Sequence, residues 1–307
     1  MKKLISLFLI ALTILSLSSF AYAKEEGESF SFDLISDIHI SSSKGGDRLI
    51  EAFANMSDSE ADTLVIAGDL TNRGKKSEID YVFSLLSEFS PYENNIIAFG
   101  NHDTQMFKND ESRENLLQSL SDFTLRQYEK VYYSKEINGY KFIVMGDEGH
   151  GINTAKISDE QISFIKNEIS SADEEKPVFV ICHWPLKSTH GASFLWPILP
   201  GAALSSKTSE ALREIFSSRE NIFYLSGHLH AGLNGDYTKA RFGACCIESE
   251  GNVNLINAPA FGKFNRFGVA AKGTGMKFRI YDDRAEIEGV NFLTNEKYKK
   301  YCYTVKF

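Results

Sequence analysis

Apolar residues recur along this chain in two alternating periods. Short continuous apolar runs at 30–36, 63–67, 95–99, 141–145, 178–182 and 222–226 are too short for helices and predict strands. Between them lie segments of helical period. In KKSEIDYVFSLLSEF, Ile79, Val82, Phe83 and Leu86 share one face. ISDEQISFIKNEIS opens on Ser158 with Gln161 three residues later, a capping box, and then aligns Ile162, Ile165 and Ile169. SEALREIFSS turns Leu212, Ile215 and Phe216 inward. Strand and helix in alternation predict an α/β fold with a largely parallel central sheet.

From about residue 243 the helical period stops. Short β-rich runs at 253–256, 276–281, 285–290 and 301–307 take over, with Asp282-Asp283 as a hairpin turn between two of them. No linker rich in Pro, Gly or Ser divides the chain. The expectation is one domain over 24–307 whose C-terminal strands complete a second sheet.

Residues 1–23 are set apart. Lys2 and Lys3 precede an apolar stretch from Leu4 to Leu17, and Ala21-Tyr22-Ala23 offers a small-x-small cleavage site. This is the pattern of a secretory signal peptide, so the mature chain is expected to be secreted or extracytoplasmic. Its apolar core is short for a membrane span, and no later run is long enough for one. Cleavage removes two lysines and no acid, which leaves the mature chain more acidic than the net charge of −8 for the whole. That charge argues against general nucleic-acid binding, whose electrostatic footprint is basic. It also means that an anionic substrate would need positive charge supplied locally.

Four cysteines, Cys182, Cys245, Cys246 and Cys302, are too few for a disulfide framework in a chain of 307 residues. Their spacing matches no structural zinc pattern. Export would permit a bridge from Cys302 to Cys245 or Cys246, whereas Cys182, in an apolar strand, reads as a buried thiol.

The chemistry lies where the predicted strands end. The first runs out in Asp37 and His39, the second in Gly68-Asp69, and the third in Gly100-Asn101-His102-Asp103. The fifth ends in His183 and the sixth in Gly227-His228-Leu229-His230. In an open α/β sheet, ligands bind beyond the carboxyl ends of the strands, so these residues would meet there. A set of Asp, Asn and His without thiolate suits Zn, Fe, Mn, Co or Ni. It holds too many donors for a single ion with an open position. It fits two ions sharing one carboxylate, a device that holds phosphoryl oxygens and makes a hydroxide nucleophile near neutral pH.

DIH, GDLTN, GNHD, the single His183 and GHLH, in this order, resemble the calcineurin-like metallophosphoesterase superfamily. The resemblance implies a four-layer α/β/β/α sandwich and two divalent ions, Mn, Fe or Zn. It further implies that Asp37, His39 and His230 hold one ion, that Asp69 bridges, and that Asn101, His183 and His228 hold the other. His102 would stand above the ions as hydrogen-bond donor or acid, with Asp103 orienting it. The substrate would be a small phosphoester. GDLTNRG followed by a helix and GNHD is most similar to the class III cyclic-nucleotide phosphodiesterases. Asn72 stands where purple acid phosphatases carry tyrosine, and GNHD replaces the GNHE of protein phosphatases. About 77 residues follow His230, too few for the second domain of secreted 5′-nucleotidases. GDEGHG after the fourth strand departs from the Leu-Asp-Ser of the class III enzymes, and this loop bears on specificity. The alternatives to a phosphodiesterase are a phosphomonoesterase or nucleotidase on the same site, and a non-catalytic surface binding protein on the same fold.

Other residues admit two readings. Asn72 and Arg73 either contact a substrate phosphate or shape the turn before the next helix. His150 and His190 read as surface or satisfied core histidines. Trp184, Phe194, Trp196 and Pro197 would stack on substrate or pack a loop. Phe261, Phe264 and Phe267, interleaved with basic residues, read as core or hairpin packing, and Cys245-Cys246 as structural.

Overall fold

The computed structural model describes residues 27–41, 43–57, 59, 61–104, 110–149, 155–190, 201–235, 245–266 and 268–307. The leader at 1–23, His150, Phe194, Trp196, Pro197 and Phe267 lie outside them. Strand β1 (Glu28–Ile35) leads through α1 (Ser43–Met56) to β2 (Thr63–Ala67), and through α2 (Lys76–Phe89) to β3 (Asn94–Ala98). A single turn, α3 (Asn101–Thr104), precedes α4 (Asp110–Thr124). The second half runs β4 (Tyr133–Ile137), β5 (Tyr140–Val144), α5 (Asp159–Ser170), β6 (Val178–Ile181), α6 (Ser206–Phe216) and β7 (Ile222–Ser226). It closes with β8 (Ile247–Glu250), β9 (Val253–Asn257), β10 (Thr274–Tyr281), β11 (Arg284–Asn291) and β12 (Glu296–Lys306).

These strands form two six-stranded sheets, ordered β12-β11-β10-β1-β2-β3 and β4-β5-β6-β7-β9-β8. Strands β1, β2 and β3 are parallel, as are β5, β6, β7 and β9, while the remaining pairings are antiparallel. The alternation of side chains along each strand explains the layers. Phe32 of β1 stacks on Phe278 of β10 at 4.5 Å and meets Phe179 of β6 edge-on at 5.0 Å, so aromatic rings fill the space between the sheets. On β6 the neighbouring Val178 and Val180 face the other way, into a cluster with Ile165 and Ile169 of α5 and Leu212 and Phe216 of α6. Leu49, Phe53, Ile79, Val82, Leu116 and Leu120 of α1, α2 and α4 join the core of the first sheet. The result is helix, sheet, sheet, helix, the expected four layers.

Three expectations change. The C-terminal strands complete the second sheet only in part: β8 and β9 extend it, while β10–β12 extend the first sheet through β1. Pairing partners far apart in sequence leave no local trace, so periodicity alone does not divide these strands between the two sheets. The sheets are also more mixed than a parallel reading implied. No disulfide joins Cys302 to Cys245 or Cys246: all four thiols are free, Cys302 exposed and the other three buried. The Asp282-Asp283 turn is present between β10 and β11, whose pairing runs from Ile280 opposite Ala285.

The capping box on α5 is half realised. Ser158 Oγ accepts from Gln161 N at 3.1 Å. The Gln161 side chain instead exchanges two hydrogen bonds with the backbone of Gly146, at 3.1 and 3.0 Å, and Glu148 receives the Ser158 N–H. The cap is thus spent on fixing the start of the GDEGHG loop.

Candidate metal centre

The ends of β1, β2, β3, β6 and β7 converge on one edge of the sandwich. Beyond β1 the backbone turns sharply and is held to the β2 loop by Asp37 N–H to Gly68 O and His39 N–H to Asp69 O, both 3.0 Å. Asp37, His39, Asp69, His228 and His230 all have positive φ, between 48° and 72°. A left-handed non-glycine residue costs on the order of 1–3 kcal/mol, and five together mark a site whose geometry the surrounding structure imposes.

The side chains meet closely. Asp37 Oδ1 lies 2.9 Å from His230 Nε2. His39 Nε2 lies 3.2 Å from His230 Nε2 and 3.5 Å from Asp69 Oδ2. One donor atom from each of Asp37, His39, Asp69 and His230 falls within 4.8 Å of the others. Asp69 Oδ2 continues into a second lobe, 3.3 Å from His183 Nε2, which lies 3.2 Å from His228 Nδ1. Asn101 Oδ1 is buried, with no hydrogen-bond partner among the described residues. Imidazole nitrogens at 3.2 Å and a buried acceptor without a donor are unfavourable unless a cation or a proton sits beside them. The donor set therefore fits two ions sharing Asp69.

The charges of the cluster act on its own carboxyl groups and imidazoles. Burial opposes charge on Asp37, yet His230 and His39 hold its carboxyl well below the ordinary range. Burial likewise opposes protonation of His183, but the Asp69 carboxylate outweighs it and pushes the imidazole up to about 9. Burial, reinforced by His183, brings His228 down to about 4.

His102 sits over this cluster, its ring perpendicular to that of His39 with centroids 4.5 Å apart. Its backbone N–H donates to Asp69 Oδ1 at 2.9 Å, and its Nδ1 donates to the Asn72 carbonyl at 2.7 Å. A carbonyl can only accept, so Nδ1 carries the proton and Nε2 faces outward as acceptor, or as donor when the ring is protonated. The expectation for Asp103 needs correcting. Its carboxylate accepts from Leu70 N, Thr71 N, Thr71 Oγ1 and Gly100 N, at 3.2, 2.8, 2.8 and 2.8 Å. It clamps the β2 and β3 loops together, and the Asn72 carbonyl is what orients His102. Gly100 is required at this junction, because a Cβ there would lie 2.1 Å from Asp69 Oδ1.

The structure also brings in a segment that sequence reasoning set aside. After β9, Gly262 N–H donates to Asp37 O at 2.9 Å and Arg266 N–H to His230 O at 2.7 Å. A Cβ on Gly262 would come within 1.7 Å of Ile38 O, so only glycine lets this loop lie against the β1 turn. Lys263 Nζ then donates to Asn72 Oδ1 at 3.1 Å. Phe261 is core, as read from sequence, but Phe264 is 65 % exposed, with Lys272 over its ring. The available signal was a glycine between aromatics after a strand end, FGKF. Arg73 is exposed and points its backbone N–H at Glu78. Trp184 is fully buried against His183 and His228, a packing residue and no substrate platform.

Solved structures of low sequence identity share this fold. A dimetal phosphatase from Danio rerio matches with TM-score 0.63 at 15% identity, over 91% of this chain and 99% of that one. A purple acid phosphatase from yellow lupin matches with TM-score 0.62 at 12% identity, over 90% of this chain and 53% of that one. The Plasmodium protein GAP50, an anchor in the inner membrane complex, matches with TM-score 0.57 at 13% identity over 91% and 88%. Among curated proteins, no sequence matches. Fold and donor cluster together define a metal-dependent hydrolase of phosphoric esters. The sequence model of the calcineurin-like phosphoesterase family matches residues 30–232, and the chain belongs to that family. The family works with a dimetal centre, and the cluster described above is where this chain would hold it.

Proposed function

We propose that this protein is a secreted phosphodiesterase. In this reading Asp37, His39 and His230 hold one ion, Asn101, His183 and His228 the other, and Asp69 both. When bound, such ions supply Lewis acidity toward phosphoryl oxygens and acidify water for attack on phosphorus. The remaining chemistry falls to the chain itself. His102, oriented by the Asn72 carbonyl, donates a hydrogen bond or a proton from Nε2 toward the leaving oxygen. Lys263, beside Asn72, offers one positive charge at the rim, matching the single charge of a diester.

The observation that carries the diester preference is the exposed Phe264 next to Lys263, on a loop tied to Asp37 and His230. A diester brings a second ester substituent, which needs a surface to rest on; a monoester brings none. The test is kcat/KM for an aryl phosphodiester against the matching monoester, using manganese-loaded mature protein. A ratio well above one is expected, and Phe264→Ala should lower it. A ratio below one would make the protein a phosphomonoesterase or nucleotidase. No turnover of either ester, with both ions bound, would favour a binding role on this fold. Export is supported by the leader at 1–23, and a mature N-terminus at Lys24 in the extracellular fraction is the corresponding check. No helix among the described residues is long and apolar enough to cross a membrane.

A further inference from the structure

A second donor cluster lies outside the catalytic edge. His190 follows β6, seven residues beyond His183, while Cys245 and Glu248 flank the start of β8, the edge strand of the second sheet. One ring nitrogen of His190, Cys245 Sγ and a carboxylate oxygen of Glu248 all lie within 4.8 Å of one another. His190 and Cys245 are fully buried.

The hydrogen bonds around His190 define what its ring can do. Cys245 N–H donates to the His190 carbonyl at 2.8 Å, and His190 Nδ1 lies 3.0 Å from the Cys245 carbonyl. That oxygen only accepts, so Nδ1 carries the proton and Nε2 presents a bare lone pair. Nε2 is buried, with no hydrogen-bond partner among the described residues. Burial holds protonation of this ring down to about 4, so at neutral pH it is an uncharged imidazole. The His190 backbone N–H in turn pins Glu248 Oε2. His190 is held in a left-handed conformation with φ 58°, as are Asp37, His39, Asp69, His228 and His230 of the catalytic cluster. An imidazole whose far nitrogen donates to a carbonyl, beside a thiol and a carboxylate, is the arrangement of a metal-ligating histidine with its supporting bond in place.

We infer that His190, Cys245 and Glu248 form a third metal site, for a zinc-class divalent ion. Sulfur, nitrogen and carboxylate oxygen together suit zinc better than the purely nitrogen and oxygen donors of the catalytic pair, and a fourth position is left for water. Binding releases the Cys245 thiol proton to solvent and gives a thiolate–metal bond. The ion clips the segment after His183 to the edge strand β8, across 55 residues of sequence. It therefore anchors the chain seven residues beyond His183, a donor of the catalytic cluster. Ligands this far apart leave no spacing signature, which is why cysteine arithmetic found no zinc pattern.

The test uses full-length, metal-depleted protein titrated with cobalt(II) alone. A thiolate ligand gives an intense near-ultraviolet sulfur-to-cobalt charge-transfer band that Asp, Asn and His donors cannot produce. Wild type is expected to show the band and to bind three equivalents. Cys245→Ser should abolish the band and bind one equivalent fewer, while keeping the visible cobalt absorption of the catalytic pair. Cys302→Ser, changing the exposed thiol, should keep both. Glu248→Gln should weaken the band-forming equivalent at least tenfold, and serves as the ligand variant if Cys245→Ser does not fold. Absence of the band in wild type, or its survival in Cys245→Ser, would overturn the inference. Because the readout is optical, it stands or falls independently of whether the enzyme prefers diesters.

Discussion

Asp103→Asn is the sharpest probe of how the catalytic loops are held. The Asp103 carboxylate is fully buried and accepts four hydrogen bonds, two on each oxygen. An asparagine in its place presents one carbonyl and one amide, so two of the four donors lose their acceptor and face another donor. Hydrogen bonds to a charged group are worth about 1.5–3 kcal/mol each, which sets a gross loss of roughly 3–6 kcal/mol. Part is recovered, because burial and the nearby Asp69 both push the Asp103 carboxyl up, and a neutral amide escapes that cost. A net destabilisation of about 2–4 kcal/mol is expected, measured by denaturant unfolding of the metal-depleted protein, where ion binding cannot mask it. Activity should fall further than stability suggests. The affected donors, Leu70, Thr71 and Gly100, lie next to Asp69 and Asn101, and a misplacement of about 1 Å at a reacting centre can cost about 100-fold. Thr71→Val, which removes the hydroxyl that donates to Asp103 and accepts from the Gly74 N–H, should cost about 1.5–3 kcal/mol for the bond to the carboxylate alone. If Asp103→Asn unfolds within about 1 kcal/mol of wild type and keeps its kcat within twofold, the carboxylate is not the clamp and the reasoning fails.

Three further outcomes follow from the same geometry. Asp69→Asn should abolish turnover in a protein that still folds, with metal content measured by mass spectrometry falling below two; full activity would end the shared-carboxylate reading. His102→Ala should lower kcat by about 100- to 10,000-fold with metal content unchanged, whereas loss of an ion would make His102 a ligand. Gly100→Ala should displace Asp69 and lose both metal and activity, since its Cβ would lie 2.1 Å from Oδ1; a normally loaded variant would show that the β3 loop yields.

The layered α/β class, the strand ends that carry chemistry and the residues gathered there were all legible in the amino-acid order. Strands and helices announce themselves through local periodicity, and a polar residue closing an apolar strand is conspicuous because packing gives no reason for it. The Asp37, His39, Asp69, His183, His228 and His230 side chains meet because the topology puts parallel strand ends side by side, which a sequence of strand, helix and strand already implies. Three things were settled only by tertiary structure. Strands β10–β12 joined the first sheet and only β8 and β9 completed the second, because antiparallel pairing with β1 depends on partners about 240 residues away. Asp103 became a loop clamp, because a buried carboxylate takes whatever donors the surrounding turns expose. His190, Cys245, Glu248 and the Gly262–Lys263 loop reached their neighbours through contacts between separate elements. A histidine's chemistry depends on which nitrogen is bonded and how deeply it is buried, and neither is written in its flanking residues.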